Sequence, residues 1–216
     1  MKRVAGYLLA VILASPAFAA SSINPVIVEL DDGQGTVSIT NVGQSSTGYE
    51  VRALDWSVAE DGTDVLSPTD NLIVFPPLFR LAPGQTLTLR LREVVPPTVA
   101  ENSYRLEVTE EPPEVAGQGV GLRMQYLASV FSETERNTIA INCQVTSSNS
   151  LRVENSGTTR TRLDAVLSDG VDITADVDLT GRALLAQASR IVNLPSGVAP
   201  SSLEVDVRGA PLTTCQ

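Results

Sequence analysis

Residues 119–131 read GVGLRMQYLASVF. Apolar side chains alternate there with glycine or polar ones, Val120, Leu122, Met124 and Tyr126 being separated by Gly121, Arg123 and Gln125. A period of two predicts a β-strand with one apolar face. The polar run SETERN follows at 132–137. The strand therefore either belongs to an ordinary core or offers its apolar face to another protein.

Six earlier segments are also typical of β-strands, and each is bounded by Gly, Pro, Asn, Asp or Ser. They are PVIVEL (25–30), GTVSITN (35–41), TGYEVRALDWSV (47–58), NLIVF (71–75), TLTLRLRE (86–93) and SYRLEVTE (103–110). Short strands with turn signals at intervals of about eight to twelve residues indicate an immunoglobulin-like sandwich. Trp56, the only tryptophan, is expected to anchor its core.

The polar run at 132–137 predicts a linker to a second domain. Weaker β-rich segments follow at 138–146, 150–157, 161–168, 183–195 and 202–209, of which residues 183–189 are compatible with strand or helix. The sequence therefore predicts an all-β protein with an immunoglobulin-like β-sandwich domain at residues 20–132 and a smaller all-β domain at 133–216.

The N-terminal residues 1–19 read as a secretory signal peptide. Lys2 and Arg3 precede an apolar run, and Ala17-Phe18-Ala19 forms an A-x-A cleavage site. A membrane anchor is the alternative, but the apolar run is too short to cross a bilayer core of about 30 Å. We expect a periplasmic protein that does not insert into the membrane.

Charge and composition argue against several functional classes. Removal of Lys2 and Arg3 with the leader leaves 13 basic against 25 acidic residues, a net charge of −12. Nucleic-acid binding needs clustered basic residues, so we expect no such partner. The chain has no histidine, which excludes histidine-dependent triads and zinc sites. We therefore expect that the protein is not an enzyme and needs no cofactor or metal. An exported hydrolase or sugar-binding sandwich that uses carboxylates is an alternative hypothesis, but no sequence motif supports it.

Cys143 and Cys215 are the two cysteines. In an oxidising compartment such a pair is most simply a disulfide. Closing a loop of this length stabilises the fold by about 4 kcal/mol in loop-closure models. A redox-active pair is the alternative, but the spacing is not C-x-x-C.

Taken in their order along the chain, these segments resemble the periplasmic chaperones of chaperone–usher pilus assembly. Their sequence motifs are closer to the divergent, archaic-type branch of that family. The resemblance covers most of the first domain and rests on residues 35–41, 53–93 (ALDWSVAEDGTDVLSPTDNLIVFPPLFRLAPGQTLTLRLRE), SYRLEVTEEPP (103–113) and LRMQYLASVF (122–131). It implies two immunoglobulin-like domains in an L or boomerang arrangement. The implied partners are pilus or fimbrial subunits and an outer-membrane usher.

The resemblance also implies a mechanism, in which the last strand of the first domain is lent to a subunit that lacks one. Main-chain hydrogen bonds and alternate apolar side chains then hold the subunit. The inserted residues would be Val120, Leu122, Met124, Tyr126 and Ala128. A fimbrial subunit or surface adhesin is the alternative function, although the short SSINP extension after Ala20 is too short to donate a strand.

The best-known members of this family hold the subunit's C-terminal carboxylate with two basic residues. Here those positions fall at Pro25 and near Ala128, which cannot pair with a carboxylate. Arginines elsewhere are the alternative anchors: Arg90, Arg92, Arg105 and Arg123. For each of them taken separately, a solvated edge charge is the simpler interpretation.

Overall fold

The described part of the chain folds into β-strands joined by turns and loops. The computed structural model describes residues 21–59, 61–112, 123–177, 181–198 and 202–216. The first ten strands are β1 (Ser21–Asn24), β2 (Ile27–Leu30), β3 (Gln34–Asn41), β4 (Thr47–Val58), β5 (Asp64–Pro68), β6 (Leu72–Phe75), β7 (Leu78–Leu81), β8 (Thr86–Glu93), β9 (Asn102–Glu110) and β10 (Gln125–Ser132). The next eight are β11 (Ile141–Ser147), β12 (Ser150–Asn155), β13 (Thr161–Ser168), β14 (Val171–Asp172), β15 (Ala183–Leu184), β16 (Ala188–Asn193), β17 (Leu203–Val207) and β18 (Thr213–Thr214).

The first ten strands form two facing sheets. One has the order β1-β3-β8-β6, and the other has the order β2-β10-β9-β4-β5, with β7 also paired to β4. Alternate side chains fill the space between the sheets, as β-strand geometry requires. Leu89 and Leu91 of β8 meet Leu106 and Val108 of β9 there, each at most 2% exposed. These are the apolar faces that the alternation in residues 86–93 and 103–110 predicts.

The last eight strands form a second, smaller pair of sheets. Their orders are β11-β12-β16 and β14-β13-β17-β18, with β15 also paired to β13. Leu151 and Val153 of β12 pack with Val205 of β17 in this core. The structure confirms the disulfide between Cys143 on β11 and Cys215 near the C-terminus. The disulfide therefore joins the first strand of this unit to its last segment.

The structure adds short strands that the sequence pattern did not predict. Strand β1 is the polar segment SSIN, and every residue of β5 is exposed, so neither shows apolar alternation. Residues 183–189, which were compatible with strand or helix, contain β15, a turn and the start of β16. Residues 1–19 and 120–122, which carry the predicted leader and the predicted start of the last strand, lie outside the described residues.

The two sandwiches meet through an apolar cluster and polar contacts. Trp56 and Phe131 of the first unit pack with Leu185 of the second, and all three are buried. Arg190 on β16 donates to the main-chain oxygen of Gly62 at 2.7 Å and contacts Asp64 at 2.5 Å. A cleft remains between the units beside this junction. Within the described part of the chain, no helix is long and apolar enough to cross a membrane.

Candidate functional site

Half of strand β10 has an edge that no other described strand pairs with. Antiparallel β9 pairs with β10 along its whole length, from Gln125 to Ser132. Parallel β2 covers the opposite edge only where Ile27 to Leu30 lie opposite Ser129 to Ser132. Among the described residues, no strand pairs with Gln125–Ala128 on that side. An unpaired edge next to a core is a template for an added strand.

The hydrogen-bond pattern identifies which peptide groups face this open edge. Glu110 N donates to Met124 O on the β9 side, whereas Ser129 N donates to Val26 O on the β2 side. Successive residues of an antiparallel strand alternate in the direction of their main-chain groups. The N–H and C=O groups of Gln125 and Leu127 therefore point to the open edge.

One face of β10 changes gradually from core to surface. Val130 and Ala128 are 0% and 1% exposed in the first core, Tyr126 is half-buried against it, and Met124 is 38% exposed. These four residues share one face because they are spaced by two. An apolar surface that extends this face beyond the end of the sandwich would therefore continue the domain's own core.

The expectation that Ala128 inserts into a subunit needs correction. Its side chain fills the core of its own domain, because the strand does not leave the sandwich until closer to Met124. Tyr126 marks the boundary, with its ring against that core. Val120 and Leu122 lie outside the described residues. Met124 is thus the one described member of the predicted set whose side chain is substantially exposed.

A buried polar cluster holds the beginning of β10 in place. The carboxylate of Glu110, which is 4% exposed, accepts hydrogen bonds from Ser21 Oγ and, at 3.2 Å, from the Tyr126 hydroxyl. Ser21 Oγ also lies 2.7 Å from the Tyr49 hydroxyl. Burial, followed by the nearby Glu110 charge, raises the pKa of Tyr126, so its hydroxyl keeps its proton. The cluster joins β1, β4, β9 and β10 near the point where β10 begins.

The cleft between the domains contains a cavity of about 610 Å³ lined by residues of both. Ile27, Arg105, Ser129 and Phe131 line it from the first domain. The Arg105 guanidinium lies 3.6 Å from the centroid of the Trp56 ring and donates to Ser129 Oγ at 2.5 Å. Burial lowers the pKa of Arg105, but an arginine stays charged at any physiological pH. The cavity is thus lined by the positively charged side chain of Arg105, which Trp56 and Ser129 hold in place.

The other predicted arginine anchors lie elsewhere. Arg90 is exposed on β8 of the opposite sheet, between Thr36 and Phe75 in the strand register. Arg92 lies on the same strand, where it reaches the main-chain oxygen of Asp32. Arg123 precedes β10 by two residues. An extended chain from Arg123 to Ser129, which lines the cavity, is about 20 Å long. Of the predicted set, only Arg105 lines the cleft cavity.

The second domain contributes side chains to this cavity that the sequence pattern did not predict. Four arginines of that domain line it: Arg160, Arg162, Arg182 and Arg208. The Arg160 guanidinium lies 3.6 Å from the Phe131 ring centroid and donates to Glu101 of the first domain at 2.7 Å. Burial raises the pKa of Glu101, although Arg160 partly offsets this shift. The sequence carries no local signal for this convergence because it depends on how the two domains meet.

The described residues contain no group of three or more His, Cys, Asp or Glu side chains that could hold a metal ion. The open strand edge and the arginine-lined cleft are both suited to binding an extended polypeptide with a charged end.

Comparisons with known proteins agree with this geometry. Residues 22–131, just over half of the chain, match a family model described as pili and flagellar-assembly chaperone, PapD N-terminal domain. No curated protein sequence matches the chain significantly.

Solved structures share the fold over both domains. One is the CsuC–CsuE chaperone–tip adhesion subunit pre-assembly complex of archaic Csu pili from Acinetobacter baumannii, with 19% identity, TM-score 0.66 and coverage of 91% of this chain and 98% of that one. Another is the Salmonella enterica SafA pilin in complex with the SafB chaperone, with 21% identity, TM-score 0.63 and coverage of 90% and 91%. The E. coli chaperone DraB has 18% identity, TM-score 0.62 and coverage of 89% and 93%.

Proposed function

The chain belongs to the family of pilus and flagellar-assembly chaperones, and from this premise we propose how it binds its client. It is a pilus-assembly chaperone, not a fimbrial subunit. In the proposed mechanism it holds a secreted pilus subunit in the periplasm by lending the strand that leads into β10. It then delivers the subunit to an outer-membrane usher. The open edge at Gln125–Ala128, beside an apolar face that continues the core, is the observation that carries this proposal.

The register of β2 suggests the direction of the client strand. Strand β2 runs parallel to β10 and begins at Ile27, opposite Ser129. A client strand that extends the line of β2 toward Gln125 meets the main-chain groups of Leu127 and Gln125 that face the open edge. If it also runs parallel to β10, its C-terminal end lies at the cleft. The client's last residue then lies next to Arg105.

Apolar side chains supply the second part of the interaction. Met124 is exposed on the face that is continuous with Ala128 and Val130. Leu122 and Val120 precede it with the same alternation, and we propose that all three enter the client's open groove. Each side chain that becomes fully buried contributes about 1.5–3 kcal/mol, before ordering costs. A subunit with a missing strand would otherwise expose such a groove and aggregate.

Arg105 is our proposed anchor for the client's C-terminal carboxylate. It is held against Trp56 and Ser129, so its donors are already ordered when the client arrives. Charge-assisted hydrogen bonds of this kind are stronger than neutral ones. Binding alone accounts for this role, and we propose neither a covalent step nor a cofactor.

Solved complexes support the class of partner. In one of them the chaperone is bound to a tip adhesion subunit, and in another to a pilin. Pilus subunits are therefore the clients that we propose for this chain.

Co-expression with a secreted pilus subunit tests strand donation. The double variant Leu122→Asp/Met124→Asp places charges on the face that enters the groove, so we expect recovery of soluble subunit to fall at least about tenfold. Gln125→Asp is the matched control, because this exposed residue belongs to the opposite face. Unchanged subunit recovery with the double variant would rule out the mechanism.

A further inference from the structure

We propose that the second domain supplies half of the client anchor, through Arg182, so that arginines of both domains hold one terminal carboxylate. The ligand class is an extended peptide with a free C-terminal carboxylate and an apolar last side chain. This inference rests on the proposed function, which by itself requires only Arg105.

Three of the cleft arginines already have a carboxylate at ion-pair distance. Arg160 pairs with Glu101 at 2.7 Å and also with Glu29. Arg162 and Arg208 both pair with Asp164, at 3.1 Å and 3.2 Å. A client carboxylate would have to displace these partners in order to bind there.

Arg105 and Arg182 differ from those three arginines. Within the described ranges neither guanidinium has a carboxylate at ion-pair distance. Arg182 donates to the main-chain oxygen of Asp164 at 3.3 Å. It is half-buried, and it lines the same cavity as Arg105 from the other domain. The cavity is therefore lined by one cation from each domain that has no described carboxylate at ion-pair distance, and the charges of Asp64 and Asp172 act on them only from farther away.

A terminal carboxylate matches this arrangement chemically. It has two oxygens that can each accept more than one hydrogen bond, and a guanidinium offers several donors in a planar fork. Partial burial strengthens the attraction relative to bulk water. Two guanidinia that line one cavity therefore offer enough donors for both oxygens of a single carboxylate. The rest of the chain is strongly acidic, so it provides few other sites that would attract an anionic ligand.

The cavity walls also indicate the side chain of the terminal residue. Ile27 is 56% exposed at the start of β2, and Phe131 and Ile139 line the same space. These groups present apolar surface beside the two cations. An aliphatic or aromatic last residue would bury that surface, whereas a basic one would be repelled by the arginines that line the cavity.

Calorimetric titration of the mature protein with one short synthetic peptide in two forms tests the inference. The peptide alternates serine and valine and ends in phenylalanine, either as the free carboxylate or as the amide. We expect the wild-type protein to bind the carboxylate at least about tenfold more tightly than the amide. Arg105→Gln and Arg182→Gln should each reduce this ratio by about threefold or more, and the double variant should abolish it.

Arg208→Gln is the matched control, because it removes the same charge from the same wall but from a residue already paired with Asp164. We expect it to change the ratio by less than about twofold. Thermal unfolding of each variant checks that the fold is intact.

Three results would overturn the two-domain anchor. One is an unchanged ratio in Arg182→Gln, and another is an equal decrease in Arg208→Gln. The third is a wild-type protein that fails to distinguish the two forms, including one that binds neither at millimolar concentration. Strand donation does not depend on these results, because it is tested separately by the Leu122→Asp/Met124→Asp co-expression experiment.

Discussion

The guanidinium carbon of Arg105 lies 3.6 Å from the centroid of the Trp56 ring. Trp56 in turn packs against Phe131, at a centroid separation of 5.9 Å, and against Leu185 of the second domain. The cation at the proposed anchor therefore rests on a side chain of the domain junction. Trp56 therefore both fixes the position of the proposed anchor and packs in the contact between the two domains.

Arg105→Lys tests whether this stacking matters beyond charge. Lysine keeps the positive charge but lacks the planar fork that stacks on an indole and grips a carboxylate. We expect co-purified subunit to fall below the wild-type amount but to stay above that of Arg105→Gln. Equal recovery with Arg105→Lys and wild type would show that charge alone suffices.

Gly62→Ala tests the contact between the β4–β5 turn and the second domain. A Cβ at Gly62 would lie 2.7 Å from the main-chain nitrogen of Ile191, and its φ is +84°. Gly84 has a similar φ of +75° with nothing within 4 Å, so Gly84→Ala isolates the backbone strain, which costs about 1–2 kcal/mol. We expect Gly62→Ala to lose more unfolding free energy and to change the small-angle scattering profile. Matching behaviour of the two variants would argue against a tight junction.

The buried carboxyl of Glu101 predicts a pH dependence. Burial raises its pKa above the ordinary value of 4.5 in the folded protein. The folded state therefore binds more protons than the unfolded state just above that value. The contribution of this group to the unfolding free energy consequently falls as the pH rises through the folded pKa.

Glu101→Gln removes this titration. Denaturant unfolding of both proteins should show that wild-type stability, relative to the variant, is greater at about pH 4.5 than at about pH 7. A difference that is constant or of opposite sign would contradict the inferred burial effect.

Tyr126→Phe tests the polar cluster near the start of β10. The substitution keeps the ring but removes the hydroxyl that donates to Glu110 at 3.2 Å. We expect a loss of about 1 kcal/mol in unfolding free energy. In a Glu110→Gln background the same substitution should cost less, because the acceptor is no longer charged. Additive losses would mean that the two side chains do not interact.

Alternation made the first sandwich predictable from sequence. Leu89, Leu91, Leu106 and Val108 alternate with polar residues, and each lies in the core. The same rule places Met124 on the face of Ala128 and Val130. It does not reveal where the strand leaves its own sandwich, which depends on the length of neighbouring strands. This is why Ala128 was assigned to the client and lies instead in the core.

Contacts that join distant segments were not predictable. Arg182 and Arg105 are far apart in sequence, and no local pattern brings them to one cavity. Trp56 was expected in a core, but its place between the domains depends on Leu185. The short strands β1 and β5 carry no apolar alternation and form because their partners present free edges.

Amide hydrogen exchange of the chaperone, alone and bound to a co-expressed subunit, tests strand donation most directly. The open edge predicts that the Gln125 and Leu127 amides exchange rapidly in the free protein and become strongly protected in the complex. The Val130 amide, whose side of the strand already pairs with β9, should change little. Unchanged exchange at Gln125 and Leu127 in a stable complex would contradict strand addition at this edge.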